Sequence, residues 1–140
     1  MAHTLCYARD MTTDLQMLVW TALLALLLPA VYAVGRLSRP GGVAWGFGNR
    51  DTPLAASPWV DRAVRAHANL VENLPPFIAL VVVAHLTGRA DDTTALGATI
   101  FFWARVAHAL VYTAGVVYLR TAAFAVSLVG EGMILSRLLG

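Results

Sequence analysis

Charged residues fall in clusters along the chain, and long apolar stretches separate the clusters. Leu15 to Gly35 runs for 21 residues without a charge. About 20 such residues, coiled as a helix, cross a bilayer core of about 30 Å. Thr12, Thr13 and Asp14 precede the stretch and supply helix-start chemistry. The pattern predicts a first transmembrane helix. Acidic Asp14 before it, and the lack of a convincing small-residue cleavage site after it, argue against a signal peptide. Residues 1–10 show no periodicity, and Met11 offers an alternative start. Residues 1–13 therefore read as an N-terminal extension and 14–140 as one domain.

Residues 36–57 are rich in Gly and Pro, hold three arginines and read as a connection. Ser57 then Pro58 predicts an N-cap followed by proline in the first helical turn. The helix after it carries Asp61, Arg62, Arg65 and Glu72 early, then stays apolar from Asn73 to Gly88 except at His85. Pro75 and Pro76 each remove a backbone donor, freeing the carbonyls of Val71 and Glu72, so a bend is expected there. Residues 89–94 make a short polar turn. Ala95 to Leu119 forms a third span, interrupted by Arg105 and His108 and ended by Arg120. Thr121 to Leu139 forms a fourth, holding Glu131. The expected fold is an all-α membrane protein, a four-transmembrane-helix bundle without internal repeats.

Composition agrees. Hydrophobic residues make up 59% and charged residues 13%, against about 45–50% and about 25% in soluble domains. A small soluble protein has too much surface to carry that excess, and a disordered chain would be poorer in apolar residues. Ten Arg and no Lys face six Asp and two Glu. The net charge of +2 comes without a basic cluster interleaved with aromatics, so no nucleic-acid partner is expected. The single cysteine, Cys6, excludes an internal disulfide and any multi-Cys metal site. No apolar segment precedes it, so it reads as incidental and not lipid-modified. Arg36, Arg39, Arg50, Arg62 and Arg65 outweigh Arg89 with Asp91 and Asp92. The positive-inside rule then puts the first and third connections in the cytoplasm and both termini outside.

Inside a span an ionisable residue costs roughly 2.5–3.5 kcal/mol on insertion scales, so it usually has a partner or a task. Arg65, Asn69, Glu72 and Pro76 recur at i, i+4, i+7 and i+11, and Arg105, His108 and Tyr112 at i, i+3 and i+7. A short turn joins these two helices, so their polar faces can meet. Glu72 with Arg105 is the expected ion pair. Arg65, Asn69, His108 and Tyr112 then line a polar cavity open to the cytoplasm, rich in donors and suited to an anionic, peptide-like ligand.

Plainer readings stand beside this one. The Arg105–Glu72 pair serves architecture equally well, and Arg65 could anchor a helix end among headgroups. His108 and His85 could each be packing residues, His85 also an interfacial one. Glu131 lies between Gly130 and Gly132, small residues that favour close helix contact, and so reads as structural. Yet six polar residues on two facing helices exceed the needs of one structural pair. No metal is expected: His67 and His85 stand 18 residues apart on one helix, about 27 Å in height. No GxxxxGK[ST], HExxH or GxSxG pattern occurs. A small multidrug transporter would want a carboxylate in mid-first-helix, and none is there.

The stretch Arg65-Ala66-His67-Ala68-Asn69-Leu70-Val71-Glu72, with Pro76-Phe77 after it, resembles the second-helix signature of the MAPEG family. These are the membrane-associated proteins of eicosanoid and glutathione metabolism. Arg105-Val106-Ala107-His108, then Tyr112, resembles its third-helix signature, in the form closest to microsomal prostaglandin E synthase. The Gly48-Asn49-Arg50-Asp51 loop is similar to the bacterial branch. The resemblance implies a homotrimer in a bacterial inner membrane, with glutathione between subunits near the cytoplasmic face. It implies that Arg65, Asn69 and Glu72 hold the peptide and that His108 and Tyr112 contact it. It makes Arg120 the thiolate-stabilising arginine, with Thr121 where the prostaglandin enzyme has a serine. Arg36 matches an arginine contributed across the subunit interface. The implied activity is glutathione-dependent transfer or peroxide reduction on a lipophilic small molecule. The family also has a non-catalytic lipid-binding member, so a membrane ligand-binding or scaffold protein is the alternative.

Overall fold

The computed structural model describes residues 11–140; the readings of Cys6 and of residues 1–10 lie outside them. Five helices follow in order: α1 (Thr13–Leu37), α2 (Gly42–Phe47), α3 (Pro58–Leu86), α4 (Asp92–Ala114) and α5 (Val117–Leu139). Of these, α1, α3, α4 and α5 are long and apolar enough to cross a membrane, so the four-helix membrane bundle stands.

Helix α4 is the hub, packing against α1, α3 and α5. Its closest partner is α5, because two glycines face each other there. A Cβ on Gly97 would come within 2.6 Å of the Gly130 carbonyl, and one on Gly130 within 2.5 Å of the Gly97 carbonyl. Small residues let membrane helices gain dispersion contacts that larger ones would block. Gly132 does not share this role, since nothing lies within 4 Å of its Cβ position. Beside the crossing, Phe77 of α3 stacks on Phe101 of α4 with centroids 3.9 Å apart, and Val81, Ala84, Ala98 and Ile134 close round them.

The connections depart from expectation in two places. The first holds α2, whose Trp45 donates through Nε1 to the Thr52 carbonyl at 2.7 Å. The third falls earlier than Arg120. Helix α4 stops at Ala114 because Gly115 takes φ 90°, the left-handed C-cap conformation that favours glycine. Arg62 Nε seals that end by donating to the Thr113 carbonyl at 2.9 Å. Arg120 and Thr121 therefore lie inside α5, past its first residues, and do not begin it. Apolar Val116 to Leu119 conceals the break from a hydropathy reading. Helix α3 runs through Pro75 and Pro76 as one helix.

At the opposite end a polar knot ties three helices. Asp14, 2% exposed, accepts from Thr12 Oγ1 at 2.5 Å, Leu15 N at 3.1 Å and Thr94 Oγ1 at 3.2 Å. His85 Nε2 stands 2.9 Å from Asp14 Oδ2, the oxygen that also accepts from Thr94. His85, read from sequence as a packing or interfacial residue, thus joins α3 to α1. Nearby, Asp91 caps α4 in a reciprocal box with Thr94 and pairs with Arg137 of α5 at 2.6 Å. The Thr94 backbone N–H, helped by Arg137, holds the Asp91 carboxyl below the usual carboxylate range.

Candidate functional site

Helix α4 presents Arg105, His108 and Tyr112 along one face. Arg105 is 1% exposed and donates through Nη2 to Asn69 Oδ1 of α3 at 2.9 Å. Its guanidinium lies 5.9 Å from the Phe101 ring and 5.7 Å from the Phe124 ring. Among the described residues Arg105 Nε and Nη1 have no hydrogen-bond partner, and neither has buried Glu131 Oε1. Buried polar atoms left so invite water or a ligand.

The expected Glu72–Arg105 ion pair does not form. Asn69 takes the arginine, and among the described residues the carboxylate left with a buried oxygen lacking a hydrogen-bond partner is that of Glu131 on α5. The reason is rotational. At 3.6 residues per turn, Glu72 sits about 60° round α3 from Asn69, while Arg65 and Glu72 lie about 20° apart. Asn69 is the inner edge of the stripe. Arg65 and Glu72 form its outer edge, and both are exposed on the protomer.

From Arg105 the polar face continues towards the third connection. His108, 4% exposed, meets Tyr112 edge-on at 5.4 Å and lies 6.4 Å from Phe124. Arg120 stands over the Tyr112 ring with Cζ 4.6 Å from the centroid, close enough for a cation–π attraction. Asn69, Arg105, Phe124, His108, Tyr112 and Arg120 thus form one string across α3, α4 and α5. It carries two guanidinium groups, an imidazole and a phenol, and its end at Arg120 is half-buried. Such a string can bind anionic and hydrogen-bonding groups along its length.

Four of the eight residues to which the family resemblance gives a role lie in this string: Asn69, His108, Tyr112 and Arg120, beside Arg105 of the sequence's third-span stripe. Arg65 and Glu72 flank it on α3. Arg36 stands apart, over Tyr32 at 5.6 Å and Trp45 at 5.4 Å, while Tyr32 OH meets His67 Nδ1 at 3.2 Å. Thr121 is exposed and turns its hydroxyl back to the Val117 carbonyl at 3.5 Å. The sequence reading missed Phe124. The signal was there: Arg120, Phe124, Ser127 and Glu131 recur at i, i+4, i+7 and i+11 on α5, a third stripe like the two on α3 and α4.

The MAPEG family model matches residues 17–140, a range that takes in the whole string and all but the first residues of α1. None of the curated proteins matches the chain.

Proposed function

Because the chain belongs to the MAPEG family, we propose that it is an integral-membrane, glutathione-dependent transferase or peroxidase acting on lipophilic electrophiles. The observation that carries this reading is the Arg120 guanidinium held 4.6 Å over Tyr112 at the accessible end of a donor-rich string. A thiol of pKa about 8.5 is mostly protonated at neutral pH. A fixed guanidinium in a dry site favours its thiolate. The thiolate sulfur then attacks the electrophilic carbon. A C–S bond forms, the leaving group departs with its electron pair, and the thiol proton passes to solvent. With a hydroperoxide, two thiols are oxidised to a disulfide as the peroxide is reduced to an alcohol and water.

In this reading glutathione lies along Arg65, Asn69, Glu72, His108 and Tyr112. Asn69 Oδ1 accepts from Arg105 Nη2, which leaves the Asn69 amide N–H groups for the peptide. Arg65 and Glu72 face out of the protomer within a membrane helix, where charges are expensive unless protein covers them. That supports a homotrimer with glutathione between subunits, and a role for Arg36 across the interface, away from its own chain's string. The arginines gathered at this end support placing the first and third connections in the cytoplasm and both termini outside; the membrane proposed is a bacterial inner membrane.

The test is turnover of glutathione with chlorodinitrobenzene, beside the ultraviolet absorbance of bound thiolate. Arg120→Ala should cut turnover about 10²–10³-fold, the scale of losing one preorganised anion stabiliser, while glutathione binding falls far less. A variant that keeps both thiolate signal and rate removes Arg120 from the role. Glutathione binding without turnover in the wild type moves the chain to the non-catalytic, ligand-binding alternative.

A further inference from the structure

An apolar groove open to the outside of the protomer runs between α1 and α4, apart from the candidate site. Leu24, Leu28 and Val31 of α1 form one wall and Leu110 of α4 stands on the other, enclosing about 460 Å³. That volume is within the range of small-molecule sites, about 300–1,000 Å³. The α1 wall spans the eight residues from Leu24 to Val31, about 10 Å along the helix. The groove is open outwards, since Val31 is 46% and Leu110 67% exposed. At its mouth stand Trp59 and Arg62, on the first turns of α3.

Arg62 is fixed there. Its Nε donates to the Thr113 carbonyl at 2.9 Å. Gly115 leaves room for it, since a Cβ at that position would come 3.1 Å from Nε. Its terminal nitrogens have no hydrogen-bond or ion-pair partner among the described residues. No carboxylate lines the groove; Asp61, next in the chain, is not one of its walls. An apolar trough, a tryptophan at its rim and an oriented guanidinium with free donors match one kind of molecule. Tryptophan favours the headgroup level, and basic pockets between membrane helices bind anionic headgroups.

We propose that this groove holds an acyl chain of an anionic phospholipid whose phosphate is bound by Arg62. The lipid is a resident of the α1–α4 face and takes no part in thiol chemistry.

The test is native mass spectrometry of the full chain in mild detergent, titrated with phosphatidylglycerol and with chain-matched phosphatidylcholine. The wild type should retain phosphatidylglycerol about fivefold better, as one cation at a membrane surface would favour it. Arg62→Gln should remove that preference. Because Arg62 also seals α4, Val31→Trp provides the independent arm: it fills the groove from its open side and should lower retention of both lipids. Equal retention of the two lipids by the wild type overturns the proposal, as does a preference that survives Arg62→Gln. Unchanged lipid retention in Val31→Trp does the same. If Val31→Trp instead alters the oligomeric mass, the groove is a contact between copies. If it lowers turnover with lipid retention intact, the groove belongs to the lipophilic co-substrate. Either result also overturns the lipid assignment.

Discussion

Arg105 has five N–H donors and, among the described residues, one side-chain hydrogen bond, to Asn69. It is also among the most deeply buried side chains of the protein. A buried charge with so few partners depends strongly on each of them. Asn69→Leu should therefore lower stability by about 1–3 kcal/mol, the cost of stranding a buried donor. Glu131→Gln should lower the melting temperature in detergent more than Glu72→Gln does, because Glu131 has a buried oxygen, as unpartnered as Arg105 Nε and Nη1, whereas Glu72 is exposed. The reverse order would return the counter-ion to α3. Residue spacing revealed that Arg105, His108 and Tyr112 share a face, and they do. It did not reveal which edge of the α3 stripe meets that face. Periodicity gives a direction round a helix, whereas pairing depends on how the neighbouring helix is rotated, and α3 is turned so that Asn69 looks inwards and Glu72 outwards.

At the scale of elements, Gly130 and Gly132 separate two roles that look identical in sequence. Gly130→Ala puts a methyl carbon 2.5 Å from the Gly97 carbonyl and 2.8 Å from Phe101 N. The α4–α5 crossing must open, a loss of about 1–3 kcal/mol by the usual scale of overpacking. Gly132→Ala meets open space and should be neutral or stabilising by up to about 1 kcal/mol through helix propensity. Thermal melting of the two variants side by side separates these outcomes; equal losses would mean that the glycines do not define the crossing. The turn between α3 and α4 gives a pH dependence. Asp91 has its pKa lowered by the Thr94 N–H and by Arg137. Its contribution is complete above the ordinary aspartate value of about 3.9 and is lost as pH falls through the lower folded value. Melting temperatures taken on an acid series should fall less steeply for Asp91→Asn than for wild type. The boundaries of this turn were legible to within three residues, since polar residues mark it; α4 begins at Asp92 and not at Ala95, because Asp91 caps it. Those of the α4–α5 turn were not, since Gly115 alone breaks an otherwise apolar run.

For the whole molecule, four membrane-crossing helices could be read directly, because the bilayer sets one length and one polarity for every span. The burial of their faces could not. The protomer leaves Arg65 and Glu72 exposed on a helix that crosses the membrane, an arrangement that calls for more protein around α3. Light scattering in mild detergent should give the mass of a trimer, and the melting temperature should rise with protein concentration, as it does when folding and assembly are linked. A stable monomer at micromolar concentration would count against the trimer and the intersubunit glutathione site together.

The hydrogen bond from Arg105 to Asn69 also bears on how the chain enters the membrane as it is made. An arginine at mid-span resists insertion by roughly 2.5–3.5 kcal/mol. When α4 leaves the ribosome, α3 has already been made, and Asn69 lies 36 residues back along the chain. Glu131 arrives only with α5. Asn69 is therefore the partner available to a half-synthesised protein. Loss of Asn69 should appear first as a smaller fraction of chains in which α4 integrates during translation, before the lower stability of the chains that do integrate.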